Sequence, residues 1–492
     1  MIDFDQLNAI FRPDCVAVVG ASDRPGTVGH DVYANLKAAN FTGRLIPVNR
    51  LHSQVQGDVA WGALSDVPVT PDLVVVCTPA ATVPEIARCC GERGVRGMIV
   101  ISAGFRESGP AGQKLEIELR RVLHEYPRLR MIGPNCLGVL APHSRLNASF
   151  SGTMPRPGKL AVISQSGALC TAILDSARDC ELGVSACVSV GNMLDIGMGD
   201  LIDYFAADEH TSAIMLYIEA LTDPRHFIAA ASACSRTKPI VALKSGRFPA
   251  SSQAASSHTG AMAGVDTVYE AALRRAGIER VFSLDELFDC ARLLVDSSPA
   301  TGSQLAIVTN AGGPGVMATD AWLARRGQLA RLSAQTMDEL NLLLPQQWSH
   351  SNPVDVLGDA HPARFSAALE IVMRDPQVDS VIVMLTPQSM TNPSAIAEAI
   401  AQSRFPISKP LLAVWMGGPA VRPGRLILEA AGIPVFATPE QAVNALSHVT
   451  SVGTLRKQSV EAPSMNDQMT TGPLVKLPDG AISNAFAQKI TA

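Results

Sequence analysis

Two stretches of this chain repeat each other in register and without a gap. Leu160-Ala161-Val162-Ile163-Ser164-Gln165-Ser166-Gly167 runs on to Asp175, and Leu305-Ala306-Ile307-Val308-Thr309-Asn310-Ala311-Gly312 runs on to Asp320. A second echo pairs Lys238-Pro239-Ile240-Val241-Ala242-Leu243-Lys244 with Lys409-Pro410-Leu411-Leu412-Ala413-Val414-Trp415. The first pair of stretches consists of short apolar runs that end in hydroxyl, amide and glycine residues and lead into helical spacing. That is the pattern of a strand turning tightly into a helix, and the runs are too uniformly apolar to leave one face in water. The repeat restricts the chain to layered parallel α/β architecture, used at least twice.

The region before the repeat obeys the same rule. Cys15-Val16-Ala17-Val18-Val19 is followed by Gly20-Ala21-Ser22-Asp23-Arg24-Pro25 and a helical pattern from about His30 to Ala39. Further apolar runs end near Asn49, Cys77, Ser102 and Gly133, separated by helix-like stretches at residues 83–93 and 112–126. Short strands alternating with helices predict a Rossmann-like parallel sheet. The expected division is a Rossmann-like domain at 1–145, two flavodoxin-like domains at 146–298 and 299–452, and a polar tail at 453–492. The boundary between the two repeats is set in the turn-rich Ser297-Ser298-Pro299-Ala300-Thr301-Gly302.

Composition removes several functions. A net charge of −5 gives no general attraction to nucleic acid or to an anionic membrane. The N-terminus lacks the basic-then-apolar order of a signal peptide, and no run has the ~18 apolar residues of a membrane span. The ten cysteines show no CxxC spacing. They read as reduced core residues of a cytoplasmic protein, and no metal-ligating set is expected.

Ligands of parallel sheets sit at the carboxyl ends of strands. Those ends carry Gly20, Asn49, Thr78 and Ser102-Ala103-Gly104 in the first region. The glycine loop is not G-x-G-x-x-G. The end of the second strand also has Asn49 and Arg50 where NAD enzymes place an acid. An arginine there suits a phosphorylated ribose, as in NADP or the 3′-phospho-ADP half of coenzyme A. In the repeats, Ser164, Ser166 and Gly167, and Gly312 and Gly313, begin helices whose first amides lack partners. Two such termini aimed at one point would hold a phosphate without a metal. Ordinary turn chemistry inherited by duplication is the competing account. Glu219 ends the apolar run Leu216-Tyr217-Ile218, where a carboxylate can orient an imidazole. His258 stands among small residues in Ala255-Ser256-Ser257-His258-Thr259-Gly260-Ala261, a backbone suited to a movable nucleophile.

Together these blocks resemble the NDP-forming acyl-CoA synthetases, meaning the ADP-forming acetyl-CoA synthetase alpha subunit and its relative succinyl-CoA synthetase. Lys244-Ser245-Gly246-Arg247, Ser257-His258-Thr259-Gly260-Ala261, Ile132-Gly133-Pro134-Asn135-Cys136-Leu137-Gly138 and Ser164-Gln165-Ser166-Gly167 carry the resemblance, which covers roughly residues 5–450. It implies that the first domain binds coenzyme A, with Gly20, Ser22, Asp23, Arg24 and Pro25 around the diphosphate. Asn49 and Arg50 would lie near the 3′-phosphate, and Ile101, Ser102 and Ala103 near the pantetheine. It implies His258 as the phosphorylated nucleophile and Glu219 as the acid that orients it. Succinyl-CoA synthetase has a lysine at the place of Asn49, so that contact departs from the family pattern. The ATP-grasp region of the family is also missing. Either a separate beta-type subunit supplies it or a longer ancestral protein has been shortened. ATP or ADP and Mg2+ are therefore expected only through an ATP-grasp beta-type partner, with a small carboxylic acid and phosphate as substrates and an oligomer as the assembly. The resulting expectation is an acid–thiol ligase component. The rivals are a non-catalytic CoA or acyl-CoA binding module, such as the synthetase-like part of a protein lysine acetyltransferase, and an NADP-dependent oxidoreductase.

Overall fold

The structure, a computed structural model, describes residues 4–179, 182–251, 265–296, 302–403 and 409–461. The chain forms two compact units, one reaching to Phe282 and the other spanning Ser283–Gln458. The first unit holds two large sheets and a two-stranded hairpin, Gln54–Val55 with Asp58–Val59, and the second unit holds one sheet.

The first sheet has five parallel strands in the order Arg44–Val48, Cys15–Val19, Leu73–Val76, Gly97–Val100, Arg130–Ile132. The Leu73–Val76 and Gly97–Val100 strands are buried along their whole length, which is why they read as unbroken apolar runs. Strand order reverses between Cys15–Val19 and Leu73–Val76, so the crevice of this sheet opens at Gly20 and Thr78. Gly20 has φ +91°, a conformation glycine adopts at little cost. A Cβ on Gly29 would stand 1.8 Å from the Gly20 carbonyl oxygen, so helix Val28–Ala38 is seated directly on the strand-end loop.

The second sheet has the order Ile278–Val281, Ile240–Lys244, Ala213–Ile218, Pro157–Ser164, Val184–Ser189, Gly138–Ala141, Leu146–Ser149. Its last two strands are antiparallel additions. Gly138–Ala141 pairs with Val184–Ser189, so the second sheet also takes in residues before 146. Tertiary pairing overrides the sequence pattern, which shows only another short apolar run. One continuous core serves both sheets: Phe11 of helix Phe4–Phe11 stacks on Tyr204 at 4.6 Å and meets Phe205 edge-on at 5.3 Å.

The second unit contains parallel strands ordered Gln328–Leu329, Gln304–Thr309, Ser380–Leu385, Leu411–Trp415, Val435–Phe436, with Val354–Asp355 also on Gln304–Thr309. Asn352 ties this arrangement together. Its Nδ2 donates to the Leu305 and Ala330 carbonyls, and its Oδ1 accepts the Ile307 amide. Helix Leu284–Asp296 falls in this unit. Helix Pro439–Glu461 runs past Val452, where the sequence periodicity fades. No helix among the described residues is long and apolar enough to cross a membrane.

Candidate functional site

In the first sheet the loop after Cys15–Val19 is shaped by its own hydrogen bonds. The Ser22 hydroxyl accepts the Arg24 amide at 3.0 Å, and the Thr27 hydroxyl donates to the Arg24 carbonyl at 2.8 Å. Asp23 accepts the Gln56 amide at 2.6 Å, and Gln56 Nε2 donates to the Ser22 and His30 carbonyls. Pro25 is exposed at the tip. Asn49 commits its amide to structure: Nδ2 donates to the Ala21 carbonyl, and Oδ1 accepts the Leu51 and His52 amides. Arg24 and Arg50 are exposed beside this loop. The helix that follows has Thr27 as its N-cap without a side-chain cap bond. An open helix terminus flanked by exposed arginines is chemically suited to a diphosphate and a further phosphate.

Two strands along, Ile101 is buried and Ala103 exposed, while the Ser102 hydroxyl donates to the Thr78 carbonyl. The loop then closes on Glu107, whose Oε1 accepts the amides of Gly104 at 2.6 Å and Phe105 at 3.0 Å. Burial alone would raise the Glu107 carboxyl. The Asn192 side chain and the two loop amides outweigh it and hold the group below its ordinary value.

In the second sheet Ser164 is fully buried at the end of Pro157–Ser164. Its hydroxyl donates to the Ser166 carbonyl at 2.9 Å and accepts the Ser166 amide at 3.0 Å, closing the turn. The Ser166 hydroxyl accepts the Leu169 amide and so caps helix Gly167–Asp179. Ser164 therefore shapes this turn rather than presenting its hydroxyl to solvent. Gln165 reaches to the neighbouring strand, where its Oε1 accepts the amides of Glu219 at 2.5 Å and Ala220 at 3.0 Å. That lock fixes the backbone from which Glu219 projects, just past strand Ala213–Ile218.

Next to it, Lys244 pairs in register with Ile218 and is 1% exposed. Its ammonium lies 4.5 Å from the Tyr269 ring centroid and donates to the Ser245 carbonyl. Burial, aided by Arg280, lowers its pKa against the opposing pull of Asp266 and Glu219. A cation, a carboxylate and a helix terminus thus share one sheet edge. His258 lies outside the described residues.

The second unit presents its own terminus. The Thr309 hydroxyl donates to the Ala311 carbonyl at 2.9 Å and accepts the Ala311 amide at 3.1 Å, and helix Gly312–Ala324 begins with no side-chain cap. A Cβ on Gly313 would meet nothing within 4 Å, so the backbone there is open, while one on Gly312 would lie 3.5 Å from Asp355 Oδ2. No group of three His, Cys, Asp or Glu suited to a metal occurs among the described residues.

Sequence reasoning missed Gln56, Glu107 and Asn192, and gave Gln165 and Lys244 no role of their own. Lys244 carried a signal, a charge closing an apolar run. Gln56, Asn192 and the Glu107–Asn192 contact carried none, because the partners are distant in sequence.

Comparison with known proteins accords with this geometry. Residues 14–142 match a family model described as a CoA binding domain, 157–294 a succinyl-CoA ligase like flavodoxin domain, and 305–448 a ligase-CoA domain. The chain is 38% identical to the acetate–CoA ligase [ADP-forming] II subunit alpha of Pyrococcus furiosus, across 89% of this chain and 96% of that subunit. It is 39% identical to acetate–CoA ligase [ADP-forming] I of Archaeoglobus fulgidus, across 90% of this chain, and spans 63% of that protein's length. The fold matches the dinucleotide forming acetyl-coenzyme A synthetase 1 of Ca. Korarchaeum cryptofilum, solved with phosphate and ADP. There the TM-score is 0.87 and the identity 33%, over 92% of this chain and 98% of that one. By this identity and span, the chain belongs to the NDP-forming acyl-CoA synthetases, the family of the ADP-forming acetate–CoA ligase alpha subunits.

Proposed function

We propose that this chain is the thioester-handling and phosphate-carrying component of an ADP-forming acyl-CoA ligase, which interconverts acyl-CoA, phosphate and ADP with carboxylate, CoA and ATP. The observation that carries this reading is the sheet edge in the first unit, where Glu219 projects from a backbone locked by Gln165 next to the helix Gly167–Asp179. The loop at Gly20–Pro25, with Arg24 and Arg50, would take the phosphates of CoA, and Ile101–Ala103 would lie along the pantetheine.

Phosphate at the Gly167 terminus attacks the thioester carbonyl carbon. The C–O bond forms, the C–S bond breaks, and CoA leaves as its thiol or thiolate. His258 Nε2 then attacks the phosphorus of the acyl phosphate, the P–O bond to the acyl group breaks, and the carboxylate departs. Glu219 holds the other ring N–H and stabilises the charged imidazole. Fixed amide dipoles and placement supply most of the acceleration. ADP and Mg2+ belong to an ATP-grasp partner, to which the phosphoryl group passes.

The test uses the chain alone with acetyl-CoA and labelled phosphate. Alkali-stable, acid-labile label on the protein, absent in His258→Ala, is the expected result. Label that survives this substitution overturns His258 as the carrier. CoA binding without any label would instead make the chain a binding module.

A further inference from the structure

The loop after strand Gly97–Val100 and the turn after strand Val184–Ser189 belong to different sheets of the first unit, yet one set of hydrogen bonds joins them. Glu107 holds the Gly104 and Phe105 amides through Oε1 and accepts Asn192 Nδ2 through Oε2 at 2.7 Å. Arg106 Nη2 donates to the Asn192 carbonyl at 2.6 Å. Glu116 completes the cluster, 3.8 Å from Arg106 Nη1 and 3.4 Å from Asn192 Nδ2. The Asn192 amide donates to the Pro134 carbonyl, and the Asn135 amide donates to the Ser102 carbonyl, so the loop is gripped from both ends.

The same turn leads towards the phosphate side. The Val190 amide donates to the Ser164 carbonyl at 2.9 Å. The Ser189 hydroxyl accepts the Leu137 amide at 3.0 Å and would stand 3.6 Å from a Cβ on Gly167. An unbroken run of contacts therefore extends from the loop at 102–107 to the start of helix Gly167–Asp179.

We propose that Glu107 and Asn192 are positioning residues, which fix the thioester loop at the distance from the Gly167 helix terminus that phosphate attack requires. This rests on the reading of the preceding subsection. Neither residue touches the reacting atoms; they set where those atoms meet. Attack geometry is steep in distance, and an ~1 Å displacement can cost about a hundredfold in rate.

The experiment measures acyl phosphate formation from acetyl-CoA and inorganic phosphate, trapped with hydroxylamine, and also the calorimetric Kd for CoA. Glu107→Gln is isosteric and still accepts the two loop amides, but it turns an NH2 towards the NH2 of Asn192. The saturating rate is expected to fall about 10- to 100-fold, with each KM and the CoA Kd within about threefold of wild type. Asn192→Ala should show the same split, and the double variant should be no slower than the slower single one. Should Glu107→Gln fail to fold by circular dichroism, Asn192→Ala carries the test. A saturating rate within about twofold of wild type, a loss confined to the KM for acetyl-CoA, or additive losses in the double variant would each overturn the inference. Wild-type protein that forms no acyl phosphate defeats the underlying reading and this inference with it.

Discussion

The two repeated sheets share their turn chemistry and differ in what stands beside it. Ser164 and Thr309 close the same hydroxyl turn with the residue two positions on. Gln165 accepts the Glu219 amide, and Asn310 accepts the Thr386 amide, each locking the next strand's end. Where the first copy has Glu219 and Lys244, however, the second has Thr386 and Trp415. Backbone amides at a helix terminus need only turn geometry, so duplication preserves them. Proton handling needs ionisable side chains at defined points, and at these two matched positions only the first copy has them. The second copy also lacks the side-chain cap of the first, since Ala311 cannot cap the helix as Ser166 does. A site for an anion and a site for chemistry are thus separable parts of one unit.

Substituting matched positions would break this contrast most visibly at Glu219 and Thr386. Glu219→Gln should slow phosphoenzyme formation about 10²- to 10⁴-fold, the usual worth of a positioned acid–base group. Thr386→Val should stay within about threefold, well under 1 kcal/mol of barrier. Rapid-quench labelling checks both, and equal losses would erase the distinction between the copies.

A second pair separates packing from chemistry. Trp415→Ala removes a fully buried indole that donates to the Pro393 carbonyl, at a cost of about 3–5 kcal/mol in denaturant unfolding. Lys244→Met removes a desolvated cation and should leave stability unchanged or raise it by about 1–2 kcal/mol, while slowing phosphorylation. The pH response sharpens this. The folded-state pKa of Lys244 is lowered, so between that value and the ordinary lysine value the unfolded chain binds the extra proton. Wild-type stability therefore gains a contribution as pH rises through this alkaline window, and Lys244→Met should flatten it.

The smallest effect concerns the open terminus. Gly313 occupies the place that Ala168 holds in the first copy, and nothing lies within 4 Å of an added Cβ. Gly313→Ala should stabilise the second unit by up to about 1 kcal/mol. Gly167→Ala, whose methyl would meet Leu137 Cβ at 3.3 Å, should cost about 1 kcal/mol. Thermal unfolding distinguishes the two signs.

Much of this was legible from particular residues. The runs at Cys15–Val19 and Gln304–Thr309 announced buried parallel strands, and the hydroxyl and glycine residues after them announced turns. The strand Gly138–Ala141 was not assignable to its sheet, because an apolar run does not say which edge it will join. Asn49, read as a contact for CoA, commits its side chain to the Ala21 carbonyl and two loop amides, a role visible only once the loop is folded.

The strand-and-helix alternation, the duplication, and the identity of the groups able to do chemistry follow from the order of residues, since periodicity and residue type are local properties. Folding in three dimensions set Gln165 on the backbone of Glu219, buried Lys244 beside Tyr269, and brought Glu107 to Asn192 across two sheets. Those pairings join residues far apart along the chain. They depend on which strands lie side by side, and the alternation of apolar and polar residues leaves that choice open.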